Sequence, residues 1–264
     1  MPAYYTRVEA LRAAYKRGQM SSLSSRRLQL KRLIDMLQDN RDLFVAALQK
    51  DLHKPAFETD VAEMMMTLNE AAHACNELAT WMEPEKVKRG LLFAMDEAYI
   101  RREPFGVTLI MGAWNYPLQV LLCPLVGAIA AGNCALLKPS ELAPATAELV
   151  RRLVPAYLNP ECFAVVCGGI PETTELLAER FDHIFYTGSP MVGKIVMAAA
   201  AKYLTPVILE LGGKSPCYVD ADVDLYKTAR SLCWGKFMNC GQTCITADYV
   251  MCTPETRDEL GKRL

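Results

Sequence analysis

A chain of 264 residues, 52% of them hydrophobic, can bury the core of one large domain or of two ordinary ones. Its 29 Lys and Arg balance 30 Asp and Glu to a formal net charge of −1, which excludes the basic surface of a nucleic-acid binder and a strongly acidic tail and leaves small-molecule chemistry as the expectation. Ten cysteines scattered through apolar segments, behind no signal peptide, read as reduced thiols of a cytoplasmic protein; none of His53, His73 and His183 has a partner at zinc-ligand spacing, so no metal site is expected.

In chain order, Leu30, Leu33, Ile34 and Leu37 share one helical face and Phe44, Ala47 and Leu48 follow after a polar break, which predicts a helical hairpin ended by Pro55. Apolar residues at three- and four-residue steps from Val61 to Met82 predict a longer helix over 60–83, stopped by Pro84. Its methionines 64–66 read as flexible core packing. Residues 85–103 are irregular. From Pro104 short apolar runs alternate with helices: strands at 106–111, 134–137, 163–166 and 183–186, helices at 117–131, 143–153, 172–180 and 191–203. The run 118–131 is interrupted by Pro124 and Gly127 and is too short to span a bilayer. Repeated strand–helix units predict an α/β fold with a doubly wound parallel sheet. Ligands of such sheets sit beyond the carboxyl ends of the strands, here beside Trp114 and Asn115, Lys138 to Glu141, Gly168 and Gly169, and Thr187 to Ser189. After Pro206 a second α/β region is expected, with strands at 207–209, 217–219 and 249–252 and helices at 222–237 and 254–264.

Three stretches carry chemistry when read together. Asn239-Cys240-Gly241-Gln242-Thr243-Cys244 places Cys244 in a short polar loop with a glycine and small donors beside it, the surroundings a reactive thiolate needs. Leu209-Glu210-Leu211-Gly212-Gly213-Lys214-Ser215-Pro216 sets a carboxylate beside paired glycines, and Gly112-Ala113-Trp114-Asn115-Tyr116-Pro117 sets a side-chain amide at the end of an apolar run. Each alone has an ordinary reading: a structural cysteine, a strand-end carboxylate in an ion pair, a turn asparagine before a helix. A fourth stretch, Gly188-Ser189-Pro190-Met191-Val192-Gly193-Lys194, flanks a helix start where backbone N–H groups can meet a pyrophosphate, although the Gly-x-Gly-x-x-Gly fingerprint is absent. Lys138-Pro139-Ser140-Glu141 follows a strand and alone reads as a solvated lysine and an acid near a helix N-terminus.

With these motifs in this order and spacing, nearly the whole chain resembles an aldehyde dehydrogenase, and around residues 188–194 it is most similar to the class 3 branch. The resemblance implies an aldehyde-dehydrogenase-like α/β fold: N-terminal helices over 1–84 packed on the cofactor domain, an association hairpin over 85–103, a dinucleotide-binding domain over 104–206 and the start of an α/β catalytic domain over 207–264. It implies oxidation of a fatty or aromatic aldehyde to the carboxylic acid, with Cys244 as nucleophile through a thiohemiacetal and a thioester, Asn115 and the Cys244 backbone N–H as oxyanion donors, and Glu210 as the base for hydrolytic water. For the cofactor, NAD or alternatively NADP, it implies Gly188, Ser189, Pro190, Met191, Val192 and Gly193 at the pyrophosphate and Lys138 and Glu141 at the adenosine ribose, where a carboxylate favours NAD. The basic segment 1–32 is then the first helices of the fold rather than a transit peptide. A homodimer is expected of a full-length form. Family members continue well past the nucleophile loop, so a chain ending at Leu264 is expected to lack a second glutamate at the nicotinamide ribose and to turn over little by itself. Membrane association stays open, because the lipid-bearing tail of some relatives lies in that further part. The competing readings are a catalytically incompetent nucleotide-binding or structural form, against which Asn115, Glu210 and Cys244 argue, and an acyl-transfer or esterase activity without redox.

Overall fold

The computed structural model describes residues 4–88, 90, 93 and 95–264. It opens with three helices, Tyr5–Lys16 (α1), Leu23–Asp39 (α2) and Arg41–Leu52 (α3); the Ser22 hydroxyl accepts the Ser25 N–H and so starts α2. His53 closes α3 in the left-handed region, and after Pro55 a helix over Ala56–Thr59 (α4) runs through a π-helical turn over Asp60–Met64 into Met65–Met82 (α5). Thus the helix expected from residue 60 begins four residues earlier and carries an extra residue in one turn. Glu85–Lys86 (β1) and Tyr99–Ile100 (β2) pair antiparallel. Of the expected 85–103 hairpin, residues 89, 91, 92 and 94 lie outside the described residues.

The centre of the fold is a parallel sheet. Its strands and their connecting helices are Val107–Met111 (β3), Gln119–Ala131 (α6), Cys134–Lys138 (β4), Pro144–Tyr157 (α7), Phe163–Val165 (β5), Ile170–Leu177 (α8), His183–Gly188 (β6), Pro190–Ala201 (α9) and Val207–Leu211 (β7), in spatial order β5-β4-β3-β6-β7. All five residues of β3 and all five of β4 are buried, the condition under which parallel strands read as unbroken apolar runs. The helix expected from Pro117 begins at Gln119, after a turn at residues 117–118. The helix α6 packs on β3 and β4 and against α2 and α5, α1 lies across β3 to β5, and α9 lies against β6 and β7. One continuous hydrophobic cluster runs through these layers, from Val8 to Ala200.

One boundary needs correcting. The strand expected at 207–209 to open the second region runs over Val207–Leu211, pairs with β6 from Ile184↔Val207 to Gly188↔Leu211 and forms the edge of the first sheet. The second region therefore starts beyond Leu211, with Pro216–Tyr218 (β8), Leu225–Phe237 (α10), Tyr249–Met251 (β9) and Pro254–Gly261 (α11); β8 and β9 pair parallel. Its core is small: Val219, Ala229 and Leu260, with Cys217, Leu225, Leu232 and Cys252 packed around them. Among the described residues no helix is long and apolar enough to cross a membrane.

Candidate active site

The chain leaves β3 towards β4 and β5, then returns past β3 to β6 and β7, so the strand order switches between β3 and β6. A crevice opens at such a switch, beyond the carboxyl ends of the strands. Asn115 follows β3 and Ser189 follows β6, so the carboxamide and the 188–193 turn flank that crevice. Chain direction alone thus brings together two stretches more than seventy residues apart in sequence.

The cysteine loop comes to the same place through hydrogen bonds. Asn115 Nδ2 donates to the Gln242 carbonyl at 2.8 Å, and the Asn115 carbonyl accepts from Asn239 Nδ2 at 2.9 Å. The Tyr116 and Thr243 hydroxyls lie 2.6 Å apart, and Gln242 Nε2 donates back to the Asn239 carbonyl at 2.9 Å. Asn239, Cys240 and Gly241 have successive φ values of 53°, 55° and 74°, a left-handed run that is comfortable only for the glycine. The Asn239 N–H donates to Glu58 Oε2 at 3.0 Å, so the strained turn is held from outside the loop as well as within it. A Cβ on Gly213 would stand 3.4 Å from the Cys244 carbonyl, which places the Gly212-Gly213 turn against the backbone of Cys244. The Cys244 side chain itself is exposed. Burial pushes the Tyr116 phenol above its ordinary range; the Thr243 hydrogen bond opposes this, while Glu63, Glu58 and Cys244 add to it.

Glu210 stands on β7 opposite Thr187 and is exposed, so its apolar neighbours in sequence do not bury it. Among the described residues no hydrogen bond ties its side chain to Asn115 or to the cysteine loop. Lys138 ends β4, is buried, and donates from Nζ to Glu141 Oε2 at 2.7 Å. Burial works against the Glu141 charge, but the hydrogen bond and charge of Lys138 outweigh it and hold the carboxyl below its usual range. At the turn after β6, the Ser189 hydroxyl accepts the Val192 N–H at 3.3 Å and Pro190 occupies the first turn of α9. A Cβ on Gly188 would fall inside the Tyr186 phenol, whose hydroxyl donates to the Ser189 carbonyl at 3.2 Å. Gly193 lets α9 lie close to β7, since a Cβ there would stand 3.1 Å from Leu211 Cδ2. Met191 is exposed beside this turn. A bare backbone turn at a helix start and a lysine–carboxylate pair two strands away, across β3, are donor sets of the kind a dinucleotide needs, backbone N–H groups for a pyrophosphate and a polar pair for ribose hydroxyls.

Residue types and spacing did not point to Lys54, Glu58, Glu63, Tyr116, Asn239 or Gln242. One signal was present for Glu63. It stands in an apolar helical stripe with Thr59 and Thr67 four residues to either side, and all three are fully buried.

A strand-order switch flanked by a carboxamide and a glycine-bearing helix start, with a cysteine loop bonded to the carboxamide, places a candidate enzyme site at the cleft of an α/β fold. The family model described as the aldehyde dehydrogenase family matches residues 4–264, and the chain belongs to that family. It is 49% identical over 260 residues to aldehyde dehydrogenase family 3 member B1 of Rattus norvegicus, covering 98% of this chain and 56% of the rat protein. It is likewise 49% identical over 253 residues to family 3 member A2 of Macaca fascicularis, covering 96% of this chain and 52% of that protein. Among solved structures, the substrate-bound state of Staphylococcus aureus AldH superposes with a TM-score of 0.97 at 38% identity, covering the whole of this chain and 58% of the other. An E. coli NADP-dependent enzyme superposes at 0.89 with 25% identity, covering 55% of its own chain. The chain thus spans little more than half the length of the relatives it matches.

Proposed function

We propose that this protein oxidises an aldehyde to the carboxylic acid, with Cys244 as nucleophile, Asn115 as oxyanion donor and Glu210 as base. The Cys244 thiolate adds to the carbonyl carbon, and the carbonyl oxygen becomes the oxyanion of a thiohemiacetal. A carboxamide nitrogen carries two N–H protons; Asn115 gives one to Gln242 and has a second to stabilise that oxygen, together with the Cys244 N–H. NAD or NADP, when bound, would supply the hydride acceptor, and loss of hydride from the thiohemiacetal carbon would leave the thioester on Cys244. Glu210 then removes a proton from water as it attacks the thioester carbon, and the carbon–sulfur bond breaks to return the thiolate and release the acid. Lys138 and Glu141 would hold the adenosine ribose, and the Gly188 to Gly193 turn the pyrophosphate. The observation that supports this reading is the set of hydrogen bonds that ties Asn115 and Tyr116 to residues 239–243 and so brings two of the three motifs together.

The test is aldehyde-dependent formation of NADH or NADPH by the purified protein. Cys244→Ser should abolish it, and Asn115→Ala should lower kcat by about a hundredfold, the usual effect of losing one oxyanion donor. Undiminished NADH formation by Cys244→Ser would end the proposal.

The segment around β1 and β2 exposes Tyr99 and Ile100, and Phe93, Met95 and Phe105 near them, a concentration of apolar surface that supports its reading as a homodimer contact. Tyr99→Asp with Ile100→Asp should shift the sedimenting species towards the monomer; an unchanged sedimentation coefficient would remove this segment from the contact.

A further inference from the structure

Glu63 and Lys54 are the most thoroughly buried charges among the described residues, with side chains 0% and 1% exposed. Burying an ion pair is costly unless every lone pair and proton has a partner, so the way these two are satisfied tells what they do. Glu63 Oε1 accepts from Lys54 Nζ at 2.5 Å, and Oε2 accepts the N–H groups of Leu118 and Gln119, each at 3.0 Å. Lys54 Nζ donates further to the Asn115 carbonyl at 3.3 Å and lies 4.4 Å from the centroid of the Tyr116 ring. The two charges therefore grip four of the five residues from Asn115 to Gln119. Asn239 Nδ2 donates to the same Asn115 carbonyl, so both lone pairs of that oxygen are taken, one by the buried lysine and one by the cysteine loop. The π-helical turn at Asp60–Met64 carries Glu63, and one helix earlier Glu58 holds the Asn239 N–H.

We infer that Lys54 and Glu63 are a positioning pair that sets the Asn115 peptide plane, and hence its carboxamide, against the cysteine loop. The inference rests on the reading of Asn115 as an oxyanion donor. A carboxamide that stabilises an oxyanion works within about half an ångström of its productive place, and a backbone fixed at both carbonyl lone pairs is one way to keep it there.

The experiment uses the full chain and two reagents for Cys244. An activated ester, p-nitrophenyl acetate, acylates the thiol through an oxyanion; iodoacetamide alkylates it without one. Lys54→Met is expected to slow acylation at least about tenfold while alkylation stays within about twofold, and Lys54→Arg should recover most of the acylation rate. Because Lys54→Met leaves Glu63 charged and alone, a double variant, Lys54→Met with Glu63→Gln, keeps an acceptor for Leu118 and Gln119 without the stranded charge. It should fold and still acylate slowly. Equal rates of acylation in parent and double variant, or acylation and alkylation falling by the same factor, would overturn the pair's role. An inert parent would instead contradict the reading of Asn115 and Cys244; hydrogen exchange then decides the pair by itself. Faster exchange across residues 239–244 in the double variant, with β3 and β4 unchanged, supports the tie to the loop, and unchanged exchange across 239–244 refutes it.

Discussion

Asn115 uses its carbonyl and its carboxamide on different residues of one loop, taking Asn239 with the first and giving to Gln242 with the second. A change as small as Asn115→Asp keeps the volume but replaces two N–H donors with acceptors, so it should repel both the Gln242 carbonyl and a developing oxyanion. We expect its kcat to fall at least as far as that of Asn115→Ala. The Lys138–Glu141 pair offers a second residue-scale test. Since the folded Glu141 carboxyl lies below its ordinary value of 4.5, its contribution to stability is complete above that pH and is lost as the pH falls through the lowered value. The stability gap between the parent and Glu141→Gln should therefore be constant from neutral pH to about pH 5 and shrink below it, read from urea midpoints at each pH. A gap that widens on acidification would contradict the sign. Lys138→Ala should weaken NAD binding about tenfold, the scale of one charge-assisted hydrogen bond, as measured by titration.

Among the elements, the helix over residues 56–82 reaches both halves of the candidate site, through Glu58 to Asn239 and through Glu63 to Leu118 and Gln119, although it holds none of the expected site residues. Glu63→Ala would strand a buried lysine and uncap α6 together, and should cost about 3–5 kcal/mol in chemical denaturation. A loss near zero would mean that the pair is solvated in solution. This helix also marks where sequence reading stops. The strands β3 and β4 were legible because a strand buried on both faces writes a continuous apolar run, and the stretches around Asn115 and Cys244 stood out because of their distinctive neighbours. The strand β7 was assigned to the wrong region because it is an edge strand of mixed exposure, and which strand it pairs with leaves no mark on its own residues. Lys54 and Glu63 lie nine residues apart across Pro55 and a π-helical turn, a spacing that matches no helical repeat, so periodicity could not pair them. Their bonds to residues 115–119 are longer-range still.

At the scale of the whole molecule, the buried apolar contacts among the described residues are concentrated in one part. The layers around the parallel sheet share one continuous core, whereas residues beyond Leu211 bury only a small cluster and leave Trp234 and Phe237 about 70% exposed and Ile245 83% exposed. Amide exchange should accordingly be slowest in β3 and β4 and much faster in β8, β9 and α10. Cys244 is thus carried on the part with the smaller core, and its loop is held to the larger one through Asn115, Tyr116 and Glu58. The most direct measurement of whether this junction does the proposed chemistry is mass analysis of Glu210→Gln after reaction with an aldehyde and NAD+. With hydride transfer intact and its base removed, the variant should accumulate one acyl group per chain on the peptide containing Cys244, alongside one equivalent of NADH. An acyl group on a different cysteine, such as exposed Cys167, or NADH formed with no acyl group on any cysteine, would contradict the account.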